Sequence, residues 1–115
     1  MQSKQYLPVP DLKGKTVVIA EDDYNSYFYL RLLLEELNAN ILYAENGHVL
    51  MNLLRHKIPD LVLLDINMPV LSGFECLRKI KEEHLHTRII AQTAYAMPDE
   101  REKCLNEGCH GYIAK

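Results

Sequence analysis

The chain has 115 residues, 48% of them apolar and 25% charged, a composition that supports one packed domain and excludes a disordered or fibrous chain. A formal net charge of −3 excludes a surface basic enough to grip nucleic-acid phosphates unaided. No apolar run approaches the ~20 residues of a membrane span, and the opening residues lack the apolar core of a signal peptide, so a cytoplasmic domain without membrane contact is expected.

In chain order, residues 1–14 carry Pro8 and Pro10 and read as a linker or arm, leaving 15–115 as the domain. A strand is predicted over Thr16–Ala20 (TVVIA). A helix follows over 24–38, with Leu30, Leu33, Leu34 and Leu37 as its core stripe. Next come a strand over 41–44 and a helix over Gly47–His56 that gathers Val49, Leu50, Leu53 and Leu54, with Pro59 beyond its end. A third strand, 61–64, leads to a helix over 72–84 with Phe74, Leu77 and Ile80 inward. A fourth, 88–91, leads to a helix over 98–107 that opens on Pro98 and stops at Gly108. A weaker strand, Gly111–Ala114, closes the series. Strands that are apolar throughout, alternating with helices, predict an α/β fold with a doubly wound parallel sheet covered on both faces.

Such a sheet places its ligand site at the carboxyl ends of the strands. Glu21-Asp22-Asp23 follow the first strand, Asp65 the third, Gln92-Thr93 the fourth and Lys115 the fifth. Two carboxylates ~4 Å apart repel by about 4 kcal/mol at an effective dielectric near 20, so such a cluster calls for a cation. Hard oxygen ligands suit Mg2+. The Thr93 hydroxyl and the Lys115 ammonium suit phosphoryl oxygens, and a carboxylate is a competent nucleophile toward phosphorus. Plainer readings exist for the same residues: Glu21 and Asp22 as acids of a helix N-cap region, Thr93 as an N-cap, Lys115 as a solvated terminal lysine.

The segments VVIAEDD, DLVLLDINMP, SGFE, QTAYA and GYIAK stand in the order and spacing found in receiver domains of two-component response regulators. The chain resembles that family from about residue 15 to its last residue, and is most similar to the receivers of hybrid sensor histidine kinases. The resemblance implies a flavodoxin-like five-stranded parallel sheet of order 2-1-3-4-5. It implies that Asp65 accepts the phosphoryl group. Mg2+ would be held by Asp22, Glu21, Asp65 and the backbone carbonyl of Asn67. Lys115 would pair with the phosphoryl group, Thr93 would swing toward it, and Tyr112 would move with Thr93, its plainer role being a static aromatic. Ala94 keeps access open, and Asn67 and Tyr95 tune the dephosphorylation rate. Asp23 is left outside the metal's ligands. The implied function is a phospho-accepting signal receiver in a phosphorelay. Its partner is a histidine kinase or histidine phosphotransfer domain, and it is not a stand-alone enzyme.

The chain departs from the family in ending at Lys115, where a fifth helix usually follows. A truncation, or compensation by a homodimer or swapped segment, is expected from the apolar surface this leaves. Ser72 stands where an acid is frequent. A second stripe on the first helix, Asn25, Phe28, Tyr29 and Leu32, is surplus to the core and is expected to help dock the partner. Two other functions compete. A pseudo-receiver would have lost an acid, the threonine or the lysine, and none is lost. A Mg2+ phosphohydrolase with an aspartyl nucleophile typically carries an acid two residues later, where Asn67 stands. Cys76, Cys104 and Cys109 are odd in number and read as small core residues, and with His84 and His86 they match no structural zinc spacing.

Overall fold

The computed structural model describes residues 10–94 and 97–115. Nine elements alternate: β1 (Thr16–Ala20), α1 (Tyr24–Glu36), β2 (Asn40–Ala44), α2 (Gly47–His56), β3 (Leu61–Asp65), α3 (Gly73–Glu82), β4 (Ile89–Thr93), α4 (Pro98–Asn106) and β5 (Gly111–Ala114). All strand pairs are parallel, and the order across the sheet is β2-β1-β3-β4-β5. The doubly wound α/β fold and its strand order are as the sequence implies.

The unbroken apolar strands are explained by a core on each face. Successive side chains of a strand point to opposite sides. Val17 and Ile19 face one side and pack with Tyr27 of α1 and with Leu63. Val18 and Ala20 face the other, where they meet Leu50, Met51 and Leu54 of α2, Cys76, Leu77 and Ile80 of α3, and Cys104 of α4. Both faces therefore demand apolar residues, and no polar alternation survives in the sequence.

Two expectations need correction. The fourth strand runs past Ala91 to Thr93, because Gln92 and Thr93 are buried at its end. Asp65 and Thr93 are thus the last residues of their strands, not the first residues beyond them. On α1, Leu33 is 46% exposed, and the buried residue is Tyr27. At 100° per residue Leu33 lies roughly 90° round the helix from the line of Tyr27, Leu30 and Leu34, so a stripe chosen by leucine identity alone was too wide. Tyr27 earns burial by stacking on Tyr43 of β2, with ring centroids 3.7 Å apart.

The connection from β3 to α3 fixes the end of β3. The Ser72 side chain accepts from the Glu75 N–H and the Glu75 carboxylate accepts from the Ser72 N–H, a reciprocal cap that explains a serine here. Gly73 then lies so close to the strand end that a Cβ on it would meet the Ile66 Cα at 2.6 Å and the Asp65 carbonyl oxygen at 2.8 Å. Alanine is the better helix former by up to about 1 kcal/mol, but the overlap is with backbone and cannot be relieved by a rotamer. Gly73→Ala is therefore expected to destabilise the fold by about 1–3 kcal/mol in urea unfolding. A variant as stable as the parent would show that the helix does not press on the strand.

Candidate functional site

The carboxyl ends of β1, β3, β4 and β5 bring together the residues that the sequence singles out. Each strand end is locked by backbone bonds: the Glu21 N–H donates to the Ala44 carbonyl, the Ile66 N–H to the Gln92 carbonyl and the Lys115 N–H to the Thr93 carbonyl, at 2.8–3.0 Å. Lys115 thus continues the β4–β5 ladder, and its ammonium turns back over the sheet end.

One carboxylate oxygen from each of Glu21, Asp22 and Asp65 lies within 4.8 Å of the others. Glu21 and Asp65 are almost fully buried, at 1% and 2% exposure, while Asp22 is exposed. The Lys115 Nζ stands 2.6 Å from Glu21 Oε2 and 3.2 Å from Asp65 Oδ2. The Glu21 oxygen makes no directed hydrogen bond, so it is paired by charge alone. Glu21 Oε1 accepts from the Asp23 N–H at 3.2 Å, and Asp65 Oδ1 accepts from the Asn67 N–H at 2.9 Å.

The electrostatics follow from this crowding. Burial pushes the Glu21 carboxyl up to about 7, with Lys115 opposing the shift and Asp65 adding to it. Burial and then Asp65 raise Asp22. Burial alone would lower Lys115, but Glu21 and Asp65 outweigh it and hold the ammonium above its ordinary value. A buried carboxylate with one oxygen left without a directed hydrogen bond, beside two more carboxylates, is the donor set of a hard divalent cation, and these three residues fit one.

Thr93 is wholly buried, and its Oγ1 accepts from Asn67 Nδ2 at 3.0 Å. Tyr112 is half-buried on β5. Its hydroxyl donates to Glu100 Oε1 at 2.9 Å and also interacts with the Thr93 side chain. Burial, then Glu100, pushes the Tyr112 phenol up to about 12. Ala94 is exposed just beyond β4, and Tyr95 lies outside the described residues. Asp23 stands apart from the carboxylate cluster as the N-cap of α1. It accepts from Ser26 Oγ at 2.7 Å, which holds its carboxyl below the usual range. The N-cap of α1 is Asp23, not Glu21 or Asp22, and the N-cap of α4 is Met97, not Thr93.

Asn25, Phe28, Tyr29 and Leu32 are all exposed on α1, and Leu33 joins them. His84 and His86 line an open cavity of about 750 Å³ at the opposite end of the sheet. Among the described residues the only acidic, histidine or cysteine group with metal-ligand spacing is Glu21, Asp22 and Asp65, and the three cysteines are buried thiols. The sequence reading missed Glu100 as the acceptor for Tyr112 and the Asn67 side chain as the donor to Thr93. No spacing or periodicity links residues 100 and 112, or 67 and 93; the packing of α4 against β5 joins the first pair, and the pairing of β3 with β4 brings the second together.

The family model for the response regulator receiver domain matches residues 17–115. The polar-differentiation response regulator DivK of Brucella anthropi is 36% identical over 103 residues, covering 88% of this chain and 84% of DivK. TrrA from Thermotoga maritima, solved in complex with Mg(2+)-BeF, has TM-score 0.78 and 30% identity over 88% of this chain and 86% of TrrA. The receiver domain of sensor histidine kinase PA1611 from Pseudomonas aeruginosa, solved with a magnesium ion coordinated in the active site cleft, has TM-score 0.78 and 27% identity over 88% of this chain and 84% of that one. No helix among the described residues is long and apolar enough to cross a membrane. With the family model spanning nearly the whole described chain and the strand order and strand-end carboxylates arranged as they are, this chain belongs to the response regulator receiver domains.

Proposed function

We propose that this receiver accepts a phosphoryl group on Asp65 in a Mg2+-dependent transfer from a phosphohistidine, supplied by a histidine kinase or a histidine phosphotransfer domain in the cytoplasm. The observation that carries the reading is the set of three carboxylates within 4.8 Å, two of them bridged by Lys115. A buried carboxylate flanked by two others gains nothing in stability from its position; it is suited to nucleophilic attack once their charge is balanced.

In the proposed step an Asp65 carboxylate oxygen attacks phosphorus as the bond from phosphorus to the donor's imidazole nitrogen breaks. The electron pair of that bond returns to the imidazole, and an aspartyl phosphate is left. Glu21, Asp22, Asp65 and the Asn67 backbone carbonyl would hold Mg2+, which supplies charge neutralisation for the phosphoryl oxygens. Lys115 exchanges its ion pairs with Glu21 and Asp65 for a phosphoryl oxygen. Thr93 donates its hydroxyl to another, giving up its present setting, and Tyr112 follows it. Asn67, Ala94 and Tyr95 are assigned to tuning hydrolysis of the product. The exposed face of α1, with Asn25, Phe28, Tyr29 and Leu32, is assigned to partner docking, where aromatic residues at the centre of an apolar patch are typical anchors.

Two measurements test this. Incubation with Mg2+ and acetyl phosphate is expected to add the mass of one phosphoryl group, stable in acid and labile in base, and to add none to Asp65→Asn. Absence of the gain in the parent chain removes the acceptor role. The second measurement concerns the cation. Without it, the folded chain keeps the Glu21 proton up to about pH 7, whereas the unfolded chain releases it near 4.5. The folded state therefore binds more protons between those values, and stability falls as pH rises through that window, levelling off above it. Mg2+ binds the deprotonated cluster, so its stabilisation, read as a rise in melting temperature, is expected to be larger at about pH 8 than at about pH 5. It should be small in Asp22→Asn. Equal shifts at both pH values would place the cation elsewhere.

A further inference from the structure

We propose that Glu100 is a positioning residue that ties α4 to the phosphoryl site through Tyr112, so that a change at Asp65 is read by this helix. The inference rests on the phospho-accepting reading of Asp65. Its starting point is how little packing holds α4. Cys104 is its buried residue, whereas α2 buries Leu50, Met51 and Leu54, and α3 buries Cys76, Leu77 and Ile80. An element with so little buried apolar surface moves at low cost.

Directional side-chain contacts hold it instead. Lys103 Nζ stands 4.1 Å from the centre of the Phe74 ring on α3. Glu100 Oε1 accepts from the Tyr112 hydroxyl at 2.9 Å. Glu100 and Cys104 are four residues apart and share a helix face, so the tether lies on the same inward line as the buried thiol. A hydrogen bond to a carboxylate is stronger than one to a neutral acceptor. From Tyr112 the path continues to the Thr93 side chain, from Thr93 Oγ1 to Asn67 Nδ2 at 3.0 Å, and from the Asn67 N–H to Asp65 Oδ1 at 2.9 Å. Polar contacts thus run unbroken from the nucleophile to the first turn of α4. Tyr112 also walls a cleft of about 640 Å³ with Met97, Pro98, Arg101 and Ala114, so its displacement changes a surface that a partner can sense.

A contiguous path is not yet a coupling, so the test measures coupling. The 15N-labelled chain is titrated with Mg2+ and beryllofluoride, a phosphoryl mimic, and backbone amide shifts are followed. The parent is expected to respond at residues 65–67 and 93 and along 98–106. In Glu100→Ala the first group should respond as before while the shifts along 98–106 shrink roughly three-fold or more. Tyr112→Phe should match it, and the double variant should add nothing further. Glu100→Gln keeps an acceptor for the phenol and should restore the response, whereas a role confined to the charge at the helix N-terminus would be lost with glutamine as with alanine. Full α4 shifts in both Glu100→Ala and Tyr112→Phe, or failure of glutamine to restore them, would overturn the inference alone. No response at residues 65–67 in the parent would overturn the phospho-accepting reading and this inference with it.

Discussion

The structure turns on one unfavourable arrangement. Three carboxylates are brought within 4.8 Å at one edge of a sheet, and two of them are out of reach of water. Each close pair costs about 4 kcal/mol at an effective dielectric near 20, and nothing in those residues themselves would bring them together. The sheet imposes it. Backbone bonds from Glu21 to Ala44, from Ile66 to Gln92 and from Lys115 to Thr93 lock the strand ends, and apolar cores on both faces hold the strands in register. Lys115 offsets part of the repulsion, but one ammonium cannot neutralise three anions. Burial first, and the Asp65 charge after it, raise the Glu21 carboxyl in spite of Lys115. A site left short of positive charge in this way has the donor set that suits a hard cation.

The same constraint explains the loop after β3. Asp65 must be held while its neighbours repel it, and the chain does this from the C-terminal side. The Asn67 N–H donates to the carboxylate, and Gly73 brings α3 down onto the Asp65 and Ile66 backbone at a separation no other residue permits. The Ser72–Glu75 cap fixes where that helix starts. An acid at residue 72 would also have capped the helix, since aspartate serves as well as serine at that position. The departure from the frequent acid at Ser72 therefore costs the fold nothing.

How much of this was legible in the sequence depends on the range of the interaction. Strands such as Thr16–Ala20 and helices such as Gly47–His56 follow from local apolar pattern and punctuation, and the structure gives them those bounds. The convergence of Glu21, Asp22, Asp65, Thr93 and Lys115 was legible because a parallel sheet sends every strand end to one edge, so position after a strand becomes position in space. Leu33 was misread because a stripe of leucines is broader than the face a helix buries, while Tyr27 has no apolar signature and is buried by a ring stack with Tyr43. The end of β4 was set short because Gln92 and Thr93 look like loop residues, although their burial is what makes them part of a site. Glu100 was not singled out at all. Its bond to Tyr112 depends on how α4 lies against β5, which no local pattern encodes.

The division of labour among the helices bears on how a signal can leave the site. A ligand shifts a conformational equilibrium only by the difference in its affinity for the two states. A phosphoryl group offers a few charge-assisted hydrogen bonds, worth about 1.5–3 kcal/mol each at best. Displacing α2 or α3 would expose several large apolar side chains at roughly 1.5–3 kcal/mol apiece, a cost as large as that whole supply. Displacing α4 unburies one cysteine and exchanges polar contacts that water can replace. The element that can respond is therefore the one with the least core. Such a helix needs a polar link to the site, because packing alone would leave it indifferent to what happens at Asp65.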